Sequence, residues 1–255
     1  MAATTSDQGN RARQATFGLL LAGGILTGWL ITHVSGVFFY QWGWHSIVTA
    51  PALVALNCWL FVGMFIVAHD CMHGSLVPFR PTWNRLIGQV CLGLYAGFEF
   101  DTLNRKHHLH HRHSGTKDDP DFDERPPHGF LNWYVRFFIE YFGWKQLAFL
   151  SIVSAVYLIL LQVNYSNLLV FWAVPAILSS LQLFYFGTYL PHRPAAESFV
   201  DRHRTRSNEW SWLASLLTCF HFGYHHEHHL YPSLPWWRLP TARNAGDDAA
   251  DVEAT

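Results

Sequence analysis

Histidine is scarce in most proteins, yet this chain carries 17 copies, as many as its lysines and arginines together. Most fall in three dense groups. "HDCMH" places His69 and His73 four residues apart. "HHLHHRH" holds His107, His110 and His111 at i, i+3 and i+4, and "YHHEHHLYP" repeats that spacing with His225, His228 and His229. On a helix such positions share a face, with Cβ atoms ~5–6 Å apart. Neutral imidazoles placed this way each offer a ring nitrogen to a metal ion. These histidines exceed what one ion binds, so two metals is the economical count. A nitrogen-rich set without thiolate suits iron, copper, nickel or zinc, which spacing alone does not separate.

The elements that carry these groups follow from where charge is missing. Only 14% of the 255 residues are charged and half are hydrophobic, whereas an ordinary soluble domain has about 25% charged residues. Neither Gln14 to Ala68 nor Gln146 to His192 contains a single Asp, Glu, Lys or Arg. Each stretch exceeds the ~20 residues that cross a ~30 Å hydrocarbon core. Each is interrupted midway, by "YQWGWH" and by "NYSN". The pattern predicts an all-α integral membrane protein with four spans, near 17–37, 47–69, 147–163 and 168–190, arranged as two helical hairpins. All 17 Lys and Arg lie outside both hairpins, so the positive-inside rule puts both termini and the histidine-rich cap on the cytoplasmic side. "LIGQVCLGLYAGF" is apolar but too short to span, and is expected to be an interfacial or re-entrant helix. Residues 1–16 and 244–255 are expected to be disordered tails around one domain, 17–243.

His192, in "FGTYLPHR", is a ninth ligand candidate because its depth in the membrane matches that of His69. His108, His113, His221 and His226 lie near the groups and are expected to stay out of direct ligation. His33 and His45 read as interfacial residues, and His128 and His203 as loop residues. Carboxylates that accept the second N–H of a ligating imidazole fix its tautomer; Asp118, Asp119, Asp121, Asp70 and Glu227 are the candidates. "PWWRLP" reads as an interfacial aromatic anchor. The four cysteines are scattered and form no C-x-x-C pair, which points to neither an iron–sulfur cluster nor a disulfide framework. A net charge of −1 gives no reason to expect nucleic acid.

The boxes H-x-x-x-H, H-x-x-H-H and H-x-x-H-H resemble those of the membrane fatty-acid desaturase and hydroxylase superfamily. "FIVAHDCMHGS", "HHRHSGTKDDPDF", "FGTYLPHR" and "TCFHFGYHHEHHLYPSLPWWRLP" further resemble the bacterial beta-carotene ketolases, over roughly residues 17–243. That resemblance implies a non-haem di-iron oxygenase of the inner membrane, with His69, His73, His107, His110, His111, His192, His225, His228 and His229 holding two irons. Thr188, one turn before His192, would be a polar residue reaching metal through water. The implied reaction takes the C4 methylene of a beta-ionone ring to a ketone by two O2-dependent hydroxylations and loss of water. Beta-carotene would give echinenone and then canthaxanthin, and zeaxanthin would give astaxanthin.

The chain has no nucleotide-binding glycine motif and no Fe–S cysteine set. Electrons are therefore expected from an external donor of the ferredoxin type; Arg202, Arg204 and Arg206 read either as its docking charges or as a membrane-facing anchor. A carotenoid dissolves in lipid, so Tyr95, Phe98, Phe184 and Phe186 are candidates to line a slot for the polyene. The competing readings are a carotenoid 3-hydroxylase or other di-iron lipid hydroxylase, and a metal transporter, whose ligands belong near the bilayer midplane.

Overall fold

The computed structural model describes residues 5–123, 125, 129–194 and 198–244, and no strand occurs among them. His128, residues 1–4 and the tail beyond Asn244 lie outside the described residues. The first helix, α1, runs Thr5–Val34 and continues as a wider π turn to Phe39. The tail expected over 1–16 is therefore helical from Thr5 onward. Its polar start is docked: Gln14 Nε2 donates to the Ser75 carbonyl at 2.7 Å, and the Arg11 guanidinium lies 4.1 Å over the Phe79 ring.

Helix α2, Ser46–Met72, is the centre of the molecule. Its Phe61, Val62, Met64, Ile66, Val67 and Ala68 are fully enclosed by α1, by α3 (Pro81–Ala96) and by α7 (Tyr165–His192). Between helices in hydrocarbon the drive is packing and hydrogen bonding rather than escape from water. The buried polar groups are paired accordingly. Asn57 donates to the Phe171 carbonyl at 2.6 Å and accepts from Thr32 at 3.2 Å, while Tyr95 and Ser179 share a bond of 2.8 Å. Proline opens α3, and Gly97 closes it at φ +70°, a left-handed cap that favours glycine. Gly88 lets α3 lie close: a Cβ there would come within 2.2 Å of the Phe100 ring. The 16 residues of α3 reach about 24 Å, short of a ~30 Å crossing, as expected.

Helix α4, Phe100–His113, carries the second histidine group. Helix α5, Phe130–Tyr141, is bent by 81° against the following helix α6, Trp144–Ala155, which continues as a π turn to Leu160. Two short helices follow, α8 over Trp212–Cys219 and α9 over His225–Leu230, and a 3-10 turn at Trp236–Arg238 leads into helical residues 239–244.

By length and composition three helices can cross a membrane, Gln8–Phe39, Ser46–Met72 and Tyr165–His192, or four if the bent pair α5–α6 counts as one. The third predicted span, 147–163, falls on that pair. The two predicted interruptions meet each other: Trp42 Nε1 donates to Asn167 Oδ1 at 2.6 Å, and Asn167 Nδ2 to the Tyr40 carbonyl at 2.9 Å. Leu20, Ile47, Leu147 and Ile159 are exposed, which in a membrane is lipid contact. Helix α7 contains two π turns, Leu169–Ala173 and Tyr185–Tyr189, each ending two residues before a proline, Pro175 and Pro191. A proline ring clashes with the carbonyl four residues back, and a widened turn relieves that clash.

Two local expectations are corrected. His33 is buried rather than interfacial, its Nε2 3.2 Å from the Tyr157 hydroxyl. Trp236 is likewise enclosed, packed on Phe220, with its backbone N–H donating to Asp70. The "PWW" turn thus fastens the chain end to α2 instead of floating at the lipid surface.

Candidate metal centre and its apolar slot

The histidine groups converge where α2 and α7 end, far from the paired interruptions. They sort into two sets: His69, His73, His107, His111 and His228, and His110, His192, His225 and His229, the offered ring nitrogens of each set lying within 4.8 Å of one another. All nine candidates are included. The sorting follows helical geometry. Pairs at i and i+4 (69/73, 107/111, 225/229) stay in one set, and the i+3 residue of each longer box, His110 or His228, crosses to the other.

Within each set the rings meet through Nε2. His107 Nε2 is 2.7 Å from that of His73 and 3.1 Å from that of His111, which is 3.0 Å from that of His228. In the second set His225 Nε2 is 3.0 Å from His192 and 3.1 Å from His229, which is 3.2 Å from His110. A neutral imidazole has one N–H and one lone pair, so these crowded nitrogens cannot all satisfy one another. Both His69 nitrogens, and Nδ1 of His225 and His229, are buried without a partner. Several lone pairs aimed at common points fit two transition-metal ions.

Two of the second ring nitrogens, those of His110 and His192, are held by the shell around them. His110 Nδ1 is 2.9 Å from Asp119 Oδ1, and that carboxylate also accepts the N–H groups of Gly115 (2.8 Å) and Asp121 (2.9 Å). His192 Nδ1 donates to the Arg204 carbonyl at 3.0 Å. Of the other carboxylates, Asp118 is exposed. Asp70 stays 3.9 Å from His69, and Glu227 is taken by Ser207 and Arg243. None of these three orients a ligand ring. His108, His113, His221 and His226 belong to neither set. His226 bonds Thr205 at 2.9 Å, and His221 stacks on Tyr224. The His203 ring, expected in a plain loop, lies 6.0 Å from that of His229. Arg204 and Arg206 donate to the carbonyls of Gly115 and Arg193, which ties together the loops behind the site.

Burial is the main reason the imidazoles of His73, His107, His225, His228 and His229 are held well below the ordinary 6.5; neighbouring histidines push the same way. They stand neutral and ready to ligate. His110 is opposite: burial lowers it, but Asp121 and Asp119 outweigh that and raise it. Asp119 is held down by His110 against its burial, whereas burial lifts Asp121 to about 6. The third group reaches the site from a strained turn. Phe220 and His221 sit in succession at φ +49° and +60°, a conformation costing roughly 1–3 kcal/mol per residue and kept where the surroundings enforce it.

A cavity of about 520 Å³ opens at His69, His107, His110 and His225. It follows α7 at helical spacing from Thr188 through Leu183, Ser180, Ala176 and Trp172 to Tyr165, a run of ~30–35 Å. Tyr95 and Phe98 line it as expected. Phe184 and Phe186 turn away: Phe184 packs on Trp133 and Tyr134, and Phe186 on Trp210. Thr188 lies at the metal end of the slot. Signals for Trp133 and Tyr141, which hold the Asp121 loop through its carbonyl and carboxylate, were absent from the sequence because both belong to α5, remote from any box.

A fatty acid desaturase family model matches residues 42–151 and 143–252. A beta-carotene ketolase of a Paracoccus species is 50% identical over 232 residues, 91% of this chain and 94% of the relative. A second Paracoccus beta-carotene ketolase is 47% identical over 90% of the chain and 93% of the relative. One from Haematococcus lacustris is 41% identical over 79% and 64%. Slot, histidine sets and sequence agree: the chain belongs to the fatty acid desaturase family and, within it, to the beta-carotene ketolases.

Proposed function

We propose that the protein is a beta-carotene 4-ketolase that holds two irons through His69, His73, His107, His111 and His228 and through His110, His192, His225 and His229. The observation that carries the reading is the junction of two buried imidazole sets with one end of a long apolar slot. Such a slot suits a rigid, apolar polyene, and its length along α7 is that of a molecule spanning the hydrocarbon core. Iron bound there would activate dioxygen, which is required because no side chain breaks an allylic C–H bond.

The chain's own residues do the rest. The slot delivers one terminal ring to the histidines with C4 foremost, and its apolar walls exclude water. Asp119 keeps His110 presenting Nε2, and the Arg204 carbonyl does the same for His192. Each hydroxylation consumes one O2, two electrons and two protons, and releases one water. A second round on the same carbon gives a gem-diol, which loses water to become the ketone. The electrons come from an external donor of the ferredoxin type on the cytoplasmic face, where the charged termini and loops lie.

Expression in cells that make beta-carotene, followed by pigment chromatography, tests the activity. Echinenone and canthaxanthin are expected. A 3-hydroxylated product without ketone would refute the reading in favour of a hydroxylase.

A further inference from the structure

The slot ends at the histidines on one side and at Tyr165, close to the paired interruptions, on the other. Both ends therefore point towards the aqueous faces of the membrane. Threading a polyene through either end would draw its apolar length out of hydrocarbon into water, at a free-energy cost that grows with the area exposed. The side of the slot is different. A residue that both lines the cavity and is exposed marks a gap in the wall. Among the described residues these are Phe138 on α5 and Tyr165, Leu169 and Ile177 on α7. Ile177 lies near the middle of α7 and is 57% exposed.

The facing wall, α6, is unlike the other spans. No residue of α6 or of its π turn is buried. The helix is held near its ends: Phe149 packs on the Gly97 turn, where a Cβ would come within 2.5 Å of the ring, and Tyr157 meets His33 at 3.2 Å. Leu150, Ser154 and Leu158 face the slot from α6, and Ala173, Ala176 and Ile177 face it from α7. Consecutive helices of a membrane bundle ordinarily gain stability by packing on one another. Here the slot runs between them, and its exposed lining leaves a seam open to lipid.

We propose that the carotenoid enters and leaves sideways, from the bilayer, through the seam between α7 and the bent pair α5–α6, with Ile177 and Phe138 as its lips. The inference rests on the ketolase reading and adds the route its substrate takes. A sideways step keeps the polyene in hydrocarbon throughout and demands no bending of a rigid chain. It also suits the product. Only one end of the slot meets the histidines, and the molecule fills its length, so a second ketone requires the polyene to leave and return reversed.

The test measures exchange without turnover. Iron-loaded protein in lipid bicelles, kept free of oxygen, is mixed rapidly with bicelles carrying beta-carotene, and the absorbance shift of the bound pigment gives the uptake rate. Mixing loaded protein with excess empty bicelles gives release. Ile177→Trp should slow uptake and release together by about tenfold, equivalent to ~1.4 kcal/mol of added barrier. The ratio of the two rates, which is the affinity, should stay close to that of wild type. Ile177→Ala and Phe138→Ala widen the seam and should speed both steps. Rates unchanged in Ile177→Trp and in both alanine variants would overturn the proposal. So would Tyr165→Trp slowing uptake where Ile177→Trp does not, the signature of end-on threading. A wild type that binds no carotenoid would instead count against the ketolase reading.

Discussion

His110 and His111 are neighbours in sequence, yet they face different metal sets, and Asp119 decides how the first of them is presented. Removing an outer partner of this kind typically costs 10–100-fold in metal affinity or activity. Asp119→Asn is thus expected to lower iron retention or ketone formation by about that range, read by metal analysis and chromatography; wild-type values in both would refute its role. Asp118→Asn, on an exposed side chain, should change neither. The buried imidazoles also predict a pH response. Folded values for His73, His107, His225, His228 and His229 lie below 6.5, so the unfolded chain binds more protons below that pH. Their contribution to stability is complete above pH 6.5 and is lost as pH falls through and below it. Thermal unfolding of metal-free protein in detergent should show this decline between pH 7 and 5; a flat profile would contradict it. The eight box histidines were legible because each box is local and helical, whereas His192, in no box, stood out only by its depth in the membrane. Which of three aspartates serves His110 was not, because that depends on how residues 114–123 fold back.

At the scale of elements, α7 supplies both His192 and one full side of the slot. Ala176 lies midway along that side, far from the histidines. Ala176→Trp should obstruct the polyene, reducing ketone formation at least tenfold while iron content stays at the wild-type level. Leu160→Trp, on an exposed position of the π turn after α6, is the control and should leave both unchanged. Equal activity of Ala176→Trp and wild type would remove the slot from the account. The long charge-free stretches and their interruptions were readable from sequence, since a missing charge over so many residues has few explanations. The sharp bend between α5 and α6 was not, because a lone glycine at the elbow, Gly143, marks a break in the helix without fixing its angle. Nor was the helix over residues 5–16, whose docking on Ser75 and Phe79 is a long-range contact.

The molecule as a whole has two unlike ends. One joins the aromatic interruptions through Trp42 and Asn167; the other gathers the histidines and the charged loops. If the second end faces the cytoplasm, a cysteine placed at Trp44, which is exposed in the first interruption, should react with an impermeant maleimide added outside intact cells. One placed at Arg202 should react only after lysis, and the reverse pattern would invert the orientation. The central claim, that the converged imidazoles bind the iron on which ketone formation depends, is tested most directly by measuring iron and product on the same purified samples. Wild type should carry close to two irons per chain, one for each set, and lose ketone formation in step with iron removal. Protein stripped of iron that still converts beta-carotene to canthaxanthin would contradict the account.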